Sequence, residues 1–194
     1  MLLQAIANFS QLTTLKITGL GLVFASSLFS GIFSGCPSLS ELHCSNLFCD
    51  GQKVGRDLVS NLKLGKKLAI LRIQQKQLSL WLGQLLVEVV SCQQLQQLVL
   101  IDPSKAKLTS TGMPQQKLKE AVENLPHLAF VHISSPLFTT ATLKKTLTDM
   151  RAIKKEKRKH LVFSFHLPSK LLPIKWEQVN FMHHIHSCAD SEIF

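Results

Sequence analysis

The residues best suited to metal chemistry lie close together near the end of the chain. They are His183, His184, His186, Cys188 and Asp190, and imidazole and thiolate are good zinc ligands. On a helix, the pairs at i, i+3 and i, i+4 in this cluster face different sides, so only two ligands converge at a time. The sequence has no Cys-x-x-Cys motif to supply the others. We therefore expect no metal here, and we favour a polar helix that caps the fold.

Motifs of known catalytic sites are missing from the chain. The sequence contains no Gly-x-Ser-x-Gly, no glycine-rich phosphate loop ending in Gly-Lys-Ser/Thr, and no His-Glu-x-x-His. Its 12 acidic residues form no paired cluster. Five cysteines and eight histidines make accidental Cys–His neighbours easy, so such pairs carry little weight. We expect neither catalysis nor a bound cofactor.

Positive charge is the strongest signal in the composition. The chain has 22 Lys and Arg against 12 Asp and Glu, a net charge of +10, which favours an acidic protein partner, nucleic acid or an anionic surface. The densest run contains Lys154, Lys155, Lys157, Arg158 and Lys159. One interpretation is a nuclear-localisation or nucleic-acid patch. The other, which we favour, is a solvated helix end, because cations complement the helix dipole there and no aromatic residues interleave for base stacking.

An internal repeat organises the chain. The pattern Leu-x-x-hydrophobic-x-hydrophobic occurs five times, with start-to-start steps of 27, 29, 27 and 33 residues. The copies begin at Leu12, Leu39, Leu68, Leu95 and Leu128. The two-residue alternation is the period of a short strand, and the apolar spacing after each copy is that of one helix face. A fixed period of this size indicates a stacked repeat, in which each unit buries its apolar edge against its neighbours.

The repeat predicts an α/β solenoid of five to six strand–helix units over residues 1–166. We expect a curved parallel sheet on the inside and helices outside, with Phe163 and Phe165 at the strand positions of a less regular sixth unit. Residues 167–194 are expected to form a C-terminal cap, since a solenoid must cover its last apolar face. The apolar stretch 1–9 looks like the helix of a preceding repeat. It predicts a longer array or an upstream domain, and a small apolar cap is the alternative.

Two segments carry a resemblance to a known family. "CPSLSELHCSNLFC" from Cys36 and "CQQLQQLVLIDP" from Cys92 resemble leucine-rich repeats of the ribonuclease-inhibitor type, which also form the C-terminal region of NOD-like receptors. The family pattern is C-x-x-L-x-x-L-x-L-x-x-N/C-x-L, and its Asn or Cys hydrogen-bonds turn backbone. In this chain that position holds Leu20, Leu47, Lys76, Pro103 and Pro136. This departure predicts irregular repeats.

The resemblance implies a non-catalytic scaffold for protein–protein recognition. It is similar to the ligand-sensing or autoinhibitory part of an innate immune receptor, with a nucleotide-binding module expected upstream. One alternative is the substrate-adaptor repeat domain of a ubiquitin ligase, which would follow an F-box. The other is a basic module that binds nucleic acid or an anionic surface, which we do not favour.

The residue between the two strand hydrophobics points away from the core and is expected to line the concave face. Down the stack these residues are Lys16, His43, Arg72, Val99 and His132. Repeat scaffolds commonly bind along this face, so we take the five as candidate contacts for a protein partner, and Lys16, His43, Arg72 and His132 as the contacts for an acidic one. The alternative is that they merely alternate outward into water.

Cysteine usage and charge distribution bear on the compartment. Two of the five cysteines, Cys36 and Cys92, fall at equivalent core positions, and buried free cysteine is ordinary in a reducing cytoplasm. Residues 17–39 carry no charge and are long enough for a membrane span. The repeat explains them without one, and Ser26, Ser27, Ser30 and Ser34 are among the serines that dilute their apolarity. We therefore expect a cytoplasmic protein and no membrane partner.

Overall fold

The computed structural model describes residues 9–19, 27–47, 51–104, 114–138, 145–146, 148–150, 152–153 and 161–166. Over these ranges the protein is an α/β fold built on one six-stranded sheet. Its strands are β1 (Thr14–Thr18), β2 (Glu41–Ser45), β3 (Ile70–Gln74), β4 (Gln97–Ile101), β5 (Phe130–Ser134) and β6 (Val162–His166). The strands are all parallel and lie in the sheet in the order of the chain.

The strand register brings the repeated residues side by side. The first apolar strand residue of each unit forms one row across the sheet, comprising Leu15, Leu42, Leu71, Leu98, Val131 and Phe163. The second apolar position forms a parallel row that ends with Ile133 paired to Phe165. The parallel sheet and its sixth strand, both predicted from the repeat, are confirmed.

Helices occupy the connections between the strands. They are α1 (Leu28–Gly35), α2 (Gly51–Asn61), α3 (Leu82–Glu88) and α4 (Pro114–Asn124), and residues 145–146, 148–150 and 152–153 are also helical. Short 3-10 turns cover Leu62–Leu64, Leu78–Leu80 and Val89–Ser91. From α1 to α4, each helix packs against the next along the chain.

The core lies between the helices and one face of the sheet. Its strand residues, such as Leu71 and Leu98, pack in one cluster with helical residues such as Phe29, Leu58 and Leu85, all of them almost completely buried. Burial of a leucine of this kind stabilises a fold by about 1.5–3 kcal/mol. The other face of the sheet is left as the surface on which outward residues alternate.

Buried thiols occupy the cysteine positions of the core. Burial raises the pKa of Cys44 to about 12 and that of Cys92 to about 11, and it also raises the pKa of Cys36. The Cys92 thiol donates a hydrogen bond to the carbonyl of Leu62 over 3.5 Å and so joins one unit to the preceding one. These cysteines are therefore packing groups and poor nucleophiles.

Polar side chains hold together the turns that follow the strands. The amide of Gln75 accepts from the N–H of Leu47 at 2.8 Å and donates to its carbonyl at 3.0 Å. The carboxylate of Asp102 accepts from the backbone N–H of Ser79 at 2.8 Å, and Ser79 Oγ lies 2.9 Å from Ser135 Oγ. Gln75, Asp102 and Ser135 each stand one position before the residue that aligns with the Asn or Cys of the leucine-rich repeat pattern. The irregularity that we expected does not reach the strand register, which is continuous over six strands.

Several sequence-based predictions lie outside the described residues. They are the apolar stretch 1–8, the basic run 154–159, the cap at 167–194 and the His/Cys cluster at 183–190. Within the described ranges, no set of three or more His, Cys, Asp or Glu side chains is arranged to hold a metal ion. None of the helices found in those ranges has both the length and the apolarity needed to span a bilayer.

Candidate partner-binding face of the sheet

The sheet face opposite the helices, here called the front face, carries the predicted contact residues. The register aligns Lys16 with His43, His43 with Arg72, Arg72 with Val99 and Val99 with His132. All five therefore stand in a single row on neighbouring strands. Because adjacent strands lie about 4.8 Å apart, the row spans roughly 20 Å.

The five residues differ in their access to solvent. Lys16 is exposed, whereas Arg72, Val99 and His132 are half-buried. His43 is only 8% exposed, so it does not simply point into water. It is flanked by Lys16 and Arg72 on the neighbouring strands, and the long side chains of these residues can cover an imidazole between them.

The environment of His43 disfavours its charged form. Burial lowers its pKa below the usual 6.5, and the nearby charges of Arg72 and Lys16 lower it further. Glu41 opposes this shift, but its Oε2 lies 3.7 Å from His43 Nε2, too far for a good hydrogen bond. The imidazole is therefore preferentially neutral at pH 7.

Two buried nitrogens on this face have no hydrogen-bond partner among the described residues. They are His43 Nε2 and Arg72 Nε, on strands that are directly paired. The guanidinium of Arg72 makes one bond, from Nη2 to Gln97 Oε1 at 3.3 Å. A buried donor without an acceptor costs about 1–3 kcal/mol, so a carboxylate brought to this point would relieve that cost.

The front face becomes apolar beyond Arg72. Val99, one of the five predicted contacts, is half-buried, and so are Ile101, Ile70, Phe130 and Val162. The last three stand two positions before residues of the central row and are not among the contact residues predicted from the sequence. Their signal was present, because a two-residue alternation extended backward from Arg72, His132 and Ser164 reaches all three.

A histidine–serine pair on this face has the spacing of a base and a nucleophile. His132 Nδ1 lies 3.0 Å from Ser164 Oγ, within the range that activates a hydroxyl. A triad also needs a third group that orients the imidazole. The described strand positions around His132 hold Val99, Phe130 and Ser134, none of which is a carboxylate. The histidine–serine pair joins β5 to β6 by a hydrogen bond.

The front face thus combines a cationic side on β1 to β3 with an apolar side on β3 to β6. This arrangement can receive a polypeptide that carries both carboxylates and apolar side chains, and it presents no assembled catalytic group among the described residues. The other predicted patch, at 154–159, lies outside them. Comparison with known proteins adds no relative, because no protein-family model matches the chain and the curated proteins give no significant match.

Proposed function

We propose that the protein is a non-catalytic leucine-rich repeat scaffold whose front face binds an acidic segment of a protein partner. The row formed by Lys16, His43 and Arg72, next to the apolar Val99 and Ile101, carries this proposal. The chain-order parallel sheet supports the repeat assignment. Its units follow each other at intervals of 27 to 33 residues, which is the spacing expected of a curved solenoid.

Recognition would use the two sides of the front face together. The partner's carboxylates would form ion pairs with Lys16 and with Arg72, whose planar guanidinium can donate two parallel hydrogen bonds to one carboxylate. An apolar side chain of the same segment packs on Val99 and Ile101. Charge then steers the encounter, and apolar burial lengthens the lifetime of the complex.

By its resemblance to the repeat region of NOD-like receptors, we place this scaffold in ligand sensing or autoinhibition. In that role the front face would contact one conformation of the full-length protein better than another and so bias a switch. A nucleotide-binding domain upstream and a cytoplasmic location belong to the same proposal. The buried thiols of Cys44 and Cys92 support it, since they suit a reducing compartment. A ubiquitin-ligase adaptor would differ by an F-box upstream.

The test uses the full chain and two synthetic peptides. One alternates Glu with Leu, and the other replaces each Glu with Gln. We expect only the acidic peptide to bind in a fluorescence anisotropy titration. The variant Lys16→Gln/Arg72→Gln should raise its Kd by about 10- to 100-fold, because a hydrogen bond to a charged group contributes about 1.5–3 kcal/mol.

A control variant removes the same charge elsewhere. Lys76 and Lys145 are exposed and lie outside the strands, so Lys76→Gln/Lys145→Gln should leave the Kd nearly unchanged at moderate salt. Equal losses in the two variants would show that only the net charge matters. Equal binding of the two peptides would refute carboxylate recognition on the front face.

A further inference from the structure

A second cationic surface lies on the helix side of the sheet, away from the front face. It consists of the exposed cations of α2 and of the turn that follows, here called the α2 cationic face. Its members are Lys53, Arg56, Lys63, Lys66 and Lys67. The steps from 53 to 56 and from 56 to 63 are three and seven residues, which keep side chains on one side of a helix. Along the helix axis the row from 53 to 63 extends roughly 15 Å.

The lysines of this surface have no ion-pair partner among the residues that the structure describes. Asp57 is the sole acidic residue between positions 51 and 67, and its carboxylate is directed to other partners. Oδ2 accepts from the backbone N–H of Phe29 at 2.9 Å, and Oδ1 accepts from Asn61 Nδ2 at 3.0 Å. The ammonium groups of Lys53, Lys63, Lys66 and Lys67 form no ion pair with any described residue. These four lysines therefore carry the charge on which the surface depends, since Arg56 already has an interaction partner.

An apolar side chain stands in the middle of these lysines. Leu64 is 41% exposed, although its neighbours Leu62 and Gly65 are buried. It lies on the 3-10 turn Leu62–Leu64, between Lys63 and Lys66. An apolar side chain exposed among cations suits a surface that offers both anionic groups and hydrocarbon.

We propose that the α2 cationic face docks on the surface of membranes that contain anionic phospholipids. Headgroup phosphates and carboxylates would pair with the lysines, and Leu64 would enter the boundary between headgroups and acyl chains. This is peripheral contact and requires no spanning helix. Nucleic acid could also use the cations, but an exposed leucine gains nothing on a phosphate backbone, and no aromatic residue lies between positions 51 and 67 to stack on bases.

Vesicle co-sedimentation of the full chain tests this surface directly. The probes are phosphatidylcholine vesicles with and without about one-third phosphatidylserine. We expect binding only with phosphatidylserine, and weaker binding at high salt. Each cation contributes about fivefold to the partition coefficient, so Lys63→Gln/Lys66→Gln/Lys67→Gln should lower it by about 100-fold. Leu64→Ala should lower it by about three- to tenfold while keeping the salt dependence.

The control removes three charges from other surfaces. Lys76→Gln/Lys119→Gln/Lys145→Gln has the same net charge as the triple variant and should bind within about threefold of the wild type, since distant exposed charges are screened. Equal losses in both variants would overturn the proposal. So would a loss confined to a variant of Lys154, Lys155 and Lys157, because that result would place the contact in the basic run.

Nucleic acid binding is measured in parallel by filter binding of a double-stranded RNA. The proposal is overturned if the vesicles do not bind. RNA binding that Leu64→Ala leaves unchanged would then assign the cations to nucleic acid. The front-face variant Lys16→Gln/Arg72→Gln separates this inference from the proposed function. It should weaken peptide binding and leave vesicle binding nearly unchanged, so either proposal can fail while the other stands.

Discussion

Asp102 offers the sharpest test of how successive units are joined. It is 4% exposed and follows β4 directly. Its Oδ2 accepts from the backbone N–H of Ser79 at 2.8 Å and from the Ser79 hydroxyl at 2.5 Å. Its Oδ1 accepts from the backbone N–H groups of Ser104 at 2.9 Å and Gln77 at 3.2 Å. One carboxylate therefore serves the turns after two neighbouring strands.

The substitution Asp102→Asn keeps the size of the side chain and changes its hydrogen bonding. If the introduced amide nitrogen takes the place of Oδ2, it faces the N–H of Ser79, and that buried donor loses its acceptor. If the amide flips, the N–H groups of Ser104 and Gln77 lose theirs, although Gln77 still has Ser104 Oγ at 3.0 Å. Either arrangement costs about 1–3 kcal/mol. We expect a loss of about 2 kcal/mol for Asn and about 4 kcal/mol for Ala, a large part of a total stability of about 5–15 kcal/mol.

Urea unfolding followed by circular dichroism measures this loss. The control is Glu120→Gln, which makes the same change in net charge on the exposed side of α4 and should alter stability by less than about 0.5 kcal/mol. If Asp102→Asn unfolds at the same urea concentration as this control, the carboxylate does not accept these bonds in solution. That result would show that Asp102 does not join the two turns.

Two further predictions concern packing and pH. A Cβ at Gly55 would overlap the Trp81 ring, whereas one at Gly83 would meet only the flexible side chain of Lys117, at 3.5 Å. Gly55→Ala should therefore lower the free energy of unfolding by about 2 kcal/mol or more. Gly83→Ala should leave it unchanged or raise it by about 0.5 kcal/mol. Similar urea midpoints for the two variants would contradict the packing of Gly55 against Trp81. Since the pKa of His43 is lowered in the native state, the unfolded chain binds the extra proton, and stability should fall as pH drops below the unfolded value of 6.5. His43→Gln should lessen that fall between about pH 7.5 and about pH 5.5; equal losses in variant and wild type would refute it.

The sheet could be predicted from the sequence because each strand is short and alternates strictly. Leu15, Leu42 and Leu71 stand in register as the repeat requires, and a slip by one residue would turn each of them toward the front face. The helices followed from apolar spacing in the same way. The polar links between turns could not be predicted, because the backbone group that Gln75 or Asp102 reaches depends on turn geometry. Their sequence signal is modest: a polar residue two positions after the second hydrophobic residue of the strand motif, as Gln75 follows Ile73 and Asp102 follows Leu100.

The residues of the candidate site could be predicted from the sequence, but their burial and their neighbours could not. The row of five candidate contact residues follows from alternation alone, and the structure aligns them on neighbouring strands. Alternation does not reveal how deeply a side chain sits, so the burial of His43 between Lys16 and Arg72 needed the register of three strands. The α2 cationic face was also missed. Its lysines are spread over 15 positions and are interrupted by apolar residues, unlike the compact run at 154–159.

The order of the strands has a consequence for how the protein is made. Every strand from β2 to β6 pairs with the strand that precedes it in the chain, and the partner lies only 27 to 33 residues earlier. During synthesis, each new strand would leave the ribosome after the strand with which it pairs, so no strand from β2 onward would depend on a preceding partner that is not yet translated. Such short loops to close favour rapid assembly, and they let the fold grow unit by unit at the pace of synthesis.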